Sequence, residues 1–109
     1  MFTKKTAKNH KNILPGIDIK TIAHGEKTLM AEFSMERGAK LPAHSHVYEQ
    51  TGYLVYGNII LTIGNEKFEA VPGDSWCVGS DVVHSAEVLE DSVAIEVFSP
   101  VREDYLKNY

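Results

Sequence analysis

Short segments in which apolar and polar residues alternate, separated by glycine and proline turns, restrict the fold of this chain more than any other feature. Residues 28–34 place three apolar side chains on one face, as a half-buried strand does. Gly64 and Asn65 stand between two β-rich segments, and a pair with glycine first favours a type II′ hairpin turn. No stretch from 17 to 99 shows a helical period with caps. The pattern therefore predicts an all-β barrel or sandwich.

The spacing of the turns divides the chain into a series of expected strands within one domain. We expect strands at 28–34, 51–56, 58–63, 66–71, 75–78, 86–89 and 92–98. The last two are expected to form a hairpin around Glu90 and Asp91, and a short helical turn is expected after Pro100. Residues 1–16 are expected to be an arm with one short strand. Residues 17–109 are then a single domain, because 109 residues suit one core.

The charge balance and the single cysteine limit the partners and the compartment. The chain has 11 basic and 15 acidic residues, whereas nucleic-acid binders usually present a basic face. We interpret the basic cluster Lys4, Lys5, Lys8 and Lys11 as part of a solvated arm. No window approaches the roughly 18 apolar residues that span a bilayer. We therefore expect a protein that binds neither nucleic acid nor membranes. Because Cys77 is the only cysteine, we expect a reducing, cytoplasmic compartment.

Two histidines in one β-rich segment could share a metal ion. Side chains alternate along a strand, so His44 and His46 point the same way, with Cα atoms about 7 Å apart. Gln50 has the same parity as the histidines and Glu49 the opposite one. A bulge just before them would reverse that choice. His84 lies in a second β-rich segment and is the third candidate.

The spacing of glycines around these histidines resembles the two sequence motifs of the cupins. The first motif reads Gly38, five residues, His44-Ser45-His46, three residues, Gln50, six residues and Gly57. The second keeps Gly73 and His84, and it departs from the usual motif at Gly79, Asp81 and Val88. The resemblance covers roughly residues 22–106. It implies a cupin double-stranded β-helix, the RmlC-like jelly-roll barrel, with a short N-terminal arm and a C-terminal tail.

The cupin resemblance also implies a set of metal ligands. Carried onto this chain, the set is His44, His46, Gln50 and His84. Three imidazoles and an amide oxygen suit Zn, Ni, Fe, Co or Cu, and the oxygen ligand keeps Mn possible. All four ligands are neutral, so the charge of a divalent ion would stay uncancelled. We therefore expect the site to attract an anionic oxygen ligand.

The last strand and the tail contain a second group of candidate residues. Glu96 and Phe98 share a face by alternation. If that face points inward, Glu96 is an acid in an apolar cavity, where burial raises its pKa; if outward, it is a solvated carboxylate. Arg102 follows Pro100, which stops the strand. Arg102 either clamps a substrate carboxylate at the barrel mouth or pairs with Glu103 or another acid.

This ending resembles that of the pectin-degradation cupins called KdgF. The shared pattern is an acid, one residue, and then Phe-Ser-Pro-x-Arg-Glu-Asp-Tyr, here Glu96 to Tyr105. The resemblance implies conversion of a cyclic 4,5-unsaturated uronate to its linear keto form in pectin or alginate degradation. It implies catalytic roles for Glu96, Phe98 and Arg102, although the family has Asp where this chain has Glu96.

Two other functions fit the same residues. One is a cupin oxygenase or isomerase that uses its metal on another small acid, and the other is a ligand-binding cupin without catalysis. In each case the expected ligand is a small anionic molecule, and for the uronate enzyme it is a sugar acid. Small cupins commonly pair their barrels, so the resemblance also implies a homodimer.

Overall fold

The computed structural model describes residues 1–5 and 10–109, and in these residues it contains eight β-strands and one short helix. The elements are β1 (Lys11–Leu14), β2 (Ile17–His24), β3 (Leu29–Met35), β4 (Lys40–His44), β5 (Glu49–Ile63), β6 (Glu66–Ala70), β7 (Ser75–Val78), β8 (His84–Ser99) and α1 (Glu103–Leu106). Residues 6–9, which include Lys8 of the expected arm, lie outside the described residues. The expectation of an all-β jelly roll is confirmed.

Two long strands, β5 and β8, build the scaffold because they pair along nearly their whole length. One sheet forms where residues 49–56 of β5 meet the second half of β8. In it, β7 pairs with the other edge of β5, and β3, β2 and β1 follow in that order beyond β8. Where residues 58–63 meet the first half of β8, β6 and β4 flank them. Among the described strands, the neighbours in the sheet follow the order β1-β2-β3-β8-β5-β6. The two end strands, β1 and β6, do not pair, so the sheet does not close into a ring. The jelly roll is thus an open pair of facing sheets.

The corner between the two sheets lies at Gly57 and Ser92, where both long strands bend. Gly57 has φ +104°, and an added Cβ would come 2.0 Å from Ser92 Oγ. That hydroxyl accepts from the Asn58 backbone N–H and donates to the Glu90 carbonyl, at 3.0 and 2.7 Å. The expected hairpin around Glu90 and Asp91 is wrong, because both residues lie inside the continuous β8. A bend that polar residues stabilise has the same local signature as a turn.

The hydrophobic core fills the space between the sheets. In β3, Leu29, Ala31, Phe33 and Met35 all point inward, as the alternation predicts. Burying each large side chain of this kind contributes about 1.5–3 kcal/mol. Some of these core side chains, such as Phe33 and Phe98, also line a mostly apolar cavity, which His84 and a few other polar side chains enter.

The C-terminal segment crosses the open end of the sandwich. The predicted helical turn after Pro100 is confirmed as α1. The hydroxyl of Thr21 donates to the carbonyl of Tyr105 at 2.6 Å, and the backbone N–H of Thr21 donates to that of Asn108 at 3.2 Å. These bonds hold the segment against β2 and bring Arg102 to the mouth of the cavity. In the described residues, no helix has the length and hydrophobicity needed to cross a membrane.

Candidate metal centre

Three histidines from two elements and a loop meet at the cavity mouth. His44 is the last residue of β4, His84 is the first residue of β8, and the two are paired across the sheet. His46 lies in the loop that follows β4. One nitrogen of each imidazole lies within 4.8 Å of the corresponding nitrogens of the other two. The cluster can therefore hold one metal ion.

Backbone carbonyls fix which nitrogen of each histidine faces the centre. Each Nδ1 lies 2.9 Å from a carbonyl oxygen two residues away along the chain; the carbonyls belong to Pro42, Tyr48 and Val82. Because a carbonyl oxygen only accepts, each Nδ1 carries a proton, and the neutral imidazole offers its lone pair at Nε2. Burial lowers the pKa of His46 and His84, which favours this neutral form, the one that binds metal.

The Nε2 lone pairs of the cluster that have no hydrogen-bond donor fit a divalent cation. Among the described residues, His84 Nε2 is buried with no hydrogen-bond partner. His46 Nε2 lies 3.0 Å from the amide oxygen of Gln50. With Nδ1 protonated, that contact joins two electron-pair donors, which repel unless a cation lies between them. Imidazole nitrogen and amide oxygen suit a transition metal such as Zn, Ni, Fe, Co, Cu or Mn.

Gln50 points into the cavity and Glu49 points out of it. The side chain of Gln50 is 8% exposed at the start of β5, whereas Glu49 is exposed. The path of the chain from His44 to Gln50 differs from the continuous strand that was expected. The strand of His44 ends at that residue, and a loop of residues 45–48 precedes β5, so strand parity does not run from His44 to Gln50.

Glu96 points inward and accepts hydrogen bonds at both carboxylate oxygens. The amide N–H of Gln50 donates to Oε2 at 2.7 Å, and the indole N–H of Trp76 donates to Oε1 at 2.9 Å. Burial raises the pKa of Glu96 to about 7, and the two donors oppose that rise. Of the two orientations open from the sequence, the inward one is observed, with Glu96 6% exposed and Phe98 buried beside it.

Trp76 is a residue of this site that the sequence motifs do not identify. On β7, Trp76 lies between two exposed residues, Ser75 and Cys77. Alternation along the strand therefore suggests only that its side chain packs on the inner face. The one signal that could have found it is chemical. A largely buried indole N–H needs an acceptor, and a buried carboxylate is the strongest acceptor available.

Arg102 lines the cavity and pairs with an acid, which is one of the two roles that the sequence left open. Its guanidinium lies 3.8 Å from the ring centroid of Tyr105, 4.9 Å from that of Phe98 and 5.1 Å from that of Tyr48. It also binds Asp104 through Nε and Nη2, at 3.2 and 2.7 Å, and the hydrogen bond holds the pKa of Asp104 below its usual value. The acid is Asp104, so of the alternatives Glu103 or another acid, the second is observed.

Two adjoining cavities surround these groups. The inner one, about 60 Å³, is lined by the three histidines, Gln50, Glu96 and Phe98, among others. The outer one, about 270 Å³, includes Ile13, Leu14 and Pro42. Both share Ile13, Leu41, His44, Arg102 and Tyr105, so only Leu14 and Pro42 belong to the outer cavity alone. The inner volume is about that of two water molecules, at about 30 Å³ each, so a larger ligand would extend beyond it.

Comparison with known proteins agrees with this fold. Residues 31–99 match the family described as the Cupin domain. The chain therefore belongs to the cupin family.

Within the cupins, the chain is similar to KdgF. It is 31% identical over 93 residues to the pectin degradation protein KdgF of Dickeya dadantii (strain 3937), a match that covers 84% of each chain. The structure of KdgF from Halomonas sp. superposes with a TM-score of 0.90 and 32% identity, covering 95% of this chain and 96% of that one. An RmlC-like cupin from Shewanella frigidimarina superposes with a TM-score of 0.90 at 24% identity, over 95% and 94% of the two chains.

Proposed function

We propose that this protein is a metal-dependent cupin enzyme that converts a cyclic 4,5-unsaturated uronate to its linear keto form, a step in pectin or alginate degradation. One observation carries the proposal. A buried carboxyl group, Glu96, a three-histidine cluster and an arginine, Arg102, line the same cavity. The similarity to KdgF proteins over most of the chain supports the substrate class.

The ligand set in this proposal is His44, His46, His84 and Gln50, all neutral. When bound there, a divalent metal supplies Lewis acidity to the substrate oxygen on which negative charge develops. The fixed Nδ1 protons of the histidines direct their Nε2 lone pairs to that place. No organic cofactor is needed, because the reaction is an isomerisation that transfers one proton and breaks one C–O bond.

Glu96 is the proton carrier in the proposed reaction. As a carboxylate it accepts the proton of the anomeric hydroxyl, the ring C1–O5 bond breaks, and C1 becomes an aldehyde. The electron pair of that bond goes to O5, which forms an enolate with the C4=C5 double bond. Glu96 then gives the same proton to C4, and C5 becomes a ketone. A pKa of about 7 suits both halves of this transfer near neutral pH.

Arg102 binds the substrate carboxylate and Phe98 forms the apolar wall. Asp104 occupies Nε and Nη2 of Arg102, which leaves N–H groups on Nη1 and Nη2 for an anion. The aromatic rings of Tyr48, Phe98 and Tyr105 surround the guanidinium. The sugar ring would then occupy the outer cavity of about 270 Å³, with its reacting end at His44 and Glu96.

The experiment that tests this proposal follows the substrate and product by proton NMR. A 4,5-unsaturated uronate monosaccharide is incubated with metal-loaded protein, with chelated protein and without protein. We expect the vinyl C4–H signal to disappear fastest with metal-loaded protein, and the keto product to form. Oxygen consumption without this product would instead favour the oxygenase, and tight binding without turnover would favour the ligand-binding cupin.

We also propose that the protein is a cytoplasmic homodimer. Tyr53 and Val55 are 50% and 45% exposed on the outer face of β5, and Tyr53 is paired with Ile95 on β8. An exposed patch of this kind fits a second copy of the chain. Sedimentation of the wild type and of Tyr53→Glu tests this proposal. A monomeric wild type would contradict it.

A further inference from the structure

The contact between Trp76 and Glu96 crosses a strand that lies between them. Gly52 of β5 is paired with Trp76 of β7 on one side and with Glu96 of β8 on the other. Residues paired in this way across antiparallel strands have their side chains on the same face of the sheet. The indole of Trp76 therefore passes over the backbone of Gly52 to reach the carboxylate at 2.9 Å.

The absence of a side chain at position 52 makes this contact possible. A Cβ on Gly52 would lie 2.2 Å from Nε1 and 2.3 Å from Cε2 of Trp76, and 2.5 Å from Oε1 of Glu96. All three distances are shorter than a non-bonded contact allows. Alanine at this position would therefore displace the indole, the carboxylate or both. Glycine is otherwise disfavoured within a strand, and a close approach of this kind is a physical reason for its presence.

Two donors on opposite sides restrain the Glu96 carboxylate. Gln50 binds Oε2 from the side of the histidines, and Trp76 binds Oε1 from the side of β7. A glutamate side chain has three rotatable bonds, so a single donor leaves the second oxygen free to rotate. Indole N–H is a donor only, which means that it always presents a proton to Oε1.

We propose that Trp76 is a positioning residue, which fixes the carboxylate of Glu96 for proton transfer, and that Gly52 is the companion residue that makes room for it. This inference rests on the proposed function for its kinetic consequence. Its geometric part is independent of any substrate. Trp76 binds Oε1 of Glu96 whereas Gln50 binds Oε2, and Trp76 is not itself a ligand candidate, so its replacement removes no metal ligand.

The geometric part is tested by the indole N–H resonance in a ¹H–¹⁵N correlation spectrum of the full chain. Trp76 is the only tryptophan, so one indole signal is expected. A hydrogen bond to a buried carboxylate shifts that signal downfield and slows its exchange with water. We expect it to move upfield in both Glu96→Leu and Gly52→Ala, and to stay in place in Cys77→Ala, which alters an exposed neighbour on β7.

The kinetic part compares Trp76→Phe with Cys77→Ala in uronate turnover. We expect Trp76→Phe to lower kcat about 10- to 100-fold, because a small misplacement of a reacting group has effects of this size. KM is expected to stay within about twofold and metal content to stay unchanged, which distinguishes positioning from a loss of structure.

Different results would overturn different parts of the account. An indole signal that is the same in wild type and Glu96→Leu would overturn the inference, as would an unchanged kcat in Trp76→Phe. If the wild type has no uronate activity, the proposed function fails, and the indole signal still decides whether Trp76 and Gly52 position Glu96.

Discussion

The side chain of Gln50 joins the histidine cluster to Glu96, because its amide N–H donates to Glu96 Oε2 at 2.7 Å while its amide oxygen lies 3.0 Å from His46 Nε2. An ionised carboxylate can only accept, so Glu96 forces the NH₂ group of Gln50 toward itself and the oxygen toward the histidines. The acid thus orients a candidate metal ligand as well as serving as the proposed proton carrier.

Replacing Glu96 should therefore change metal affinity in a way that depends on the new side chain. Glu96→Gln keeps an oxygen that can accept from Gln50, so we expect its metal affinity to stay close to wild type. Glu96→Leu removes the acceptor, and we expect metal binding about 10- to 100-fold weaker, the usual effect of losing a residue that orients a ligand. Isothermal titration with Zn²⁺ measures both. Equal affinities in the two variants would contradict the orienting role.

The stability of the metal-free protein should depend on pH through Glu96. Its pKa rises from the ordinary 4.5 to about 7 in the fold, so the folded state binds this proton more tightly. The contribution of this proton to the free energy of unfolding is fully present below pH 4.5 and is lost as the pH rises to about 7. The loss amounts to roughly 3 kcal/mol.

Urea unfolding of chelated wild type and Glu96→Gln at several pH values checks this dependence. The difference in unfolding free energy between them isolates Glu96, because other groups titrate in both proteins. We expect wild type to lose stability relative to Glu96→Gln between pH 4.5 and 7. A constant difference across this range would show that Glu96 is not desolvated.

Loss of the Arg102 side chain should weaken substrate binding selectively. Arg102→Ala removes charge-assisted hydrogen bonds to the substrate carboxylate, which are worth about 1.5–3 kcal/mol, so we expect KM to rise roughly 10- to 100-fold. Arg37→Ala is the matched control, since it removes the same charge from an exposed position in the turn before β4. Steady-state kinetics on the uronate measure the effect. An unchanged KM in Arg102→Ala would remove the proposed clamp.

The corner between the sheets gives a stability prediction with an internal control. Gly57 and Gly73 have similar positive φ angles, +104° and +97°, but a Cβ on Gly57 meets Ser92 Oγ at 2.0 Å, whereas one on Gly73 meets nothing within 4 Å. We expect Gly73→Ala to cost about 1–2 kcal/mol from backbone strain alone. Gly57→Ala should cost more, because the clash adds to that strain. Denaturant unfolding measures both, and equal losses would contradict the packing at the corner.

The histidine cluster was accessible from the sequence because its residues lie in motifs of fixed spacing. The spacing of His44 and His46 predicts that both face one site, although His46 lies in a loop where strand alternation does not apply, and the family motif adds Gln50 and His84. The strand argument behind Gln50 was less accurate, since a loop separates it from His44. Motif spacing carries such information even where local secondary structure is irregular.

Other features could not be predicted because they depend on contacts between distant parts of the chain. Alternation groups Glu96 with Phe98 but does not decide which face is inside. Position 76 lies 20 residues before Glu96, and only strand pairing brings the two together. Glu90 and Asp91 predict a hairpin but lie in the bend of β8, since bending of a long strand and reversal of the chain use the same polar residues.

A crystal structure of the metal-loaded protein, with anomalous data at the absorption edge of the bound metal, tests the central claim most directly. We predict a single anomalous peak about 2.0–2.3 Å from the Nε2 atoms of His44, His46 and His84 and from the amide oxygen of Gln50, with the other end of that amide still bound to Glu96. A peak elsewhere, or none in protein loaded with a saturating transition metal, would contradict the account.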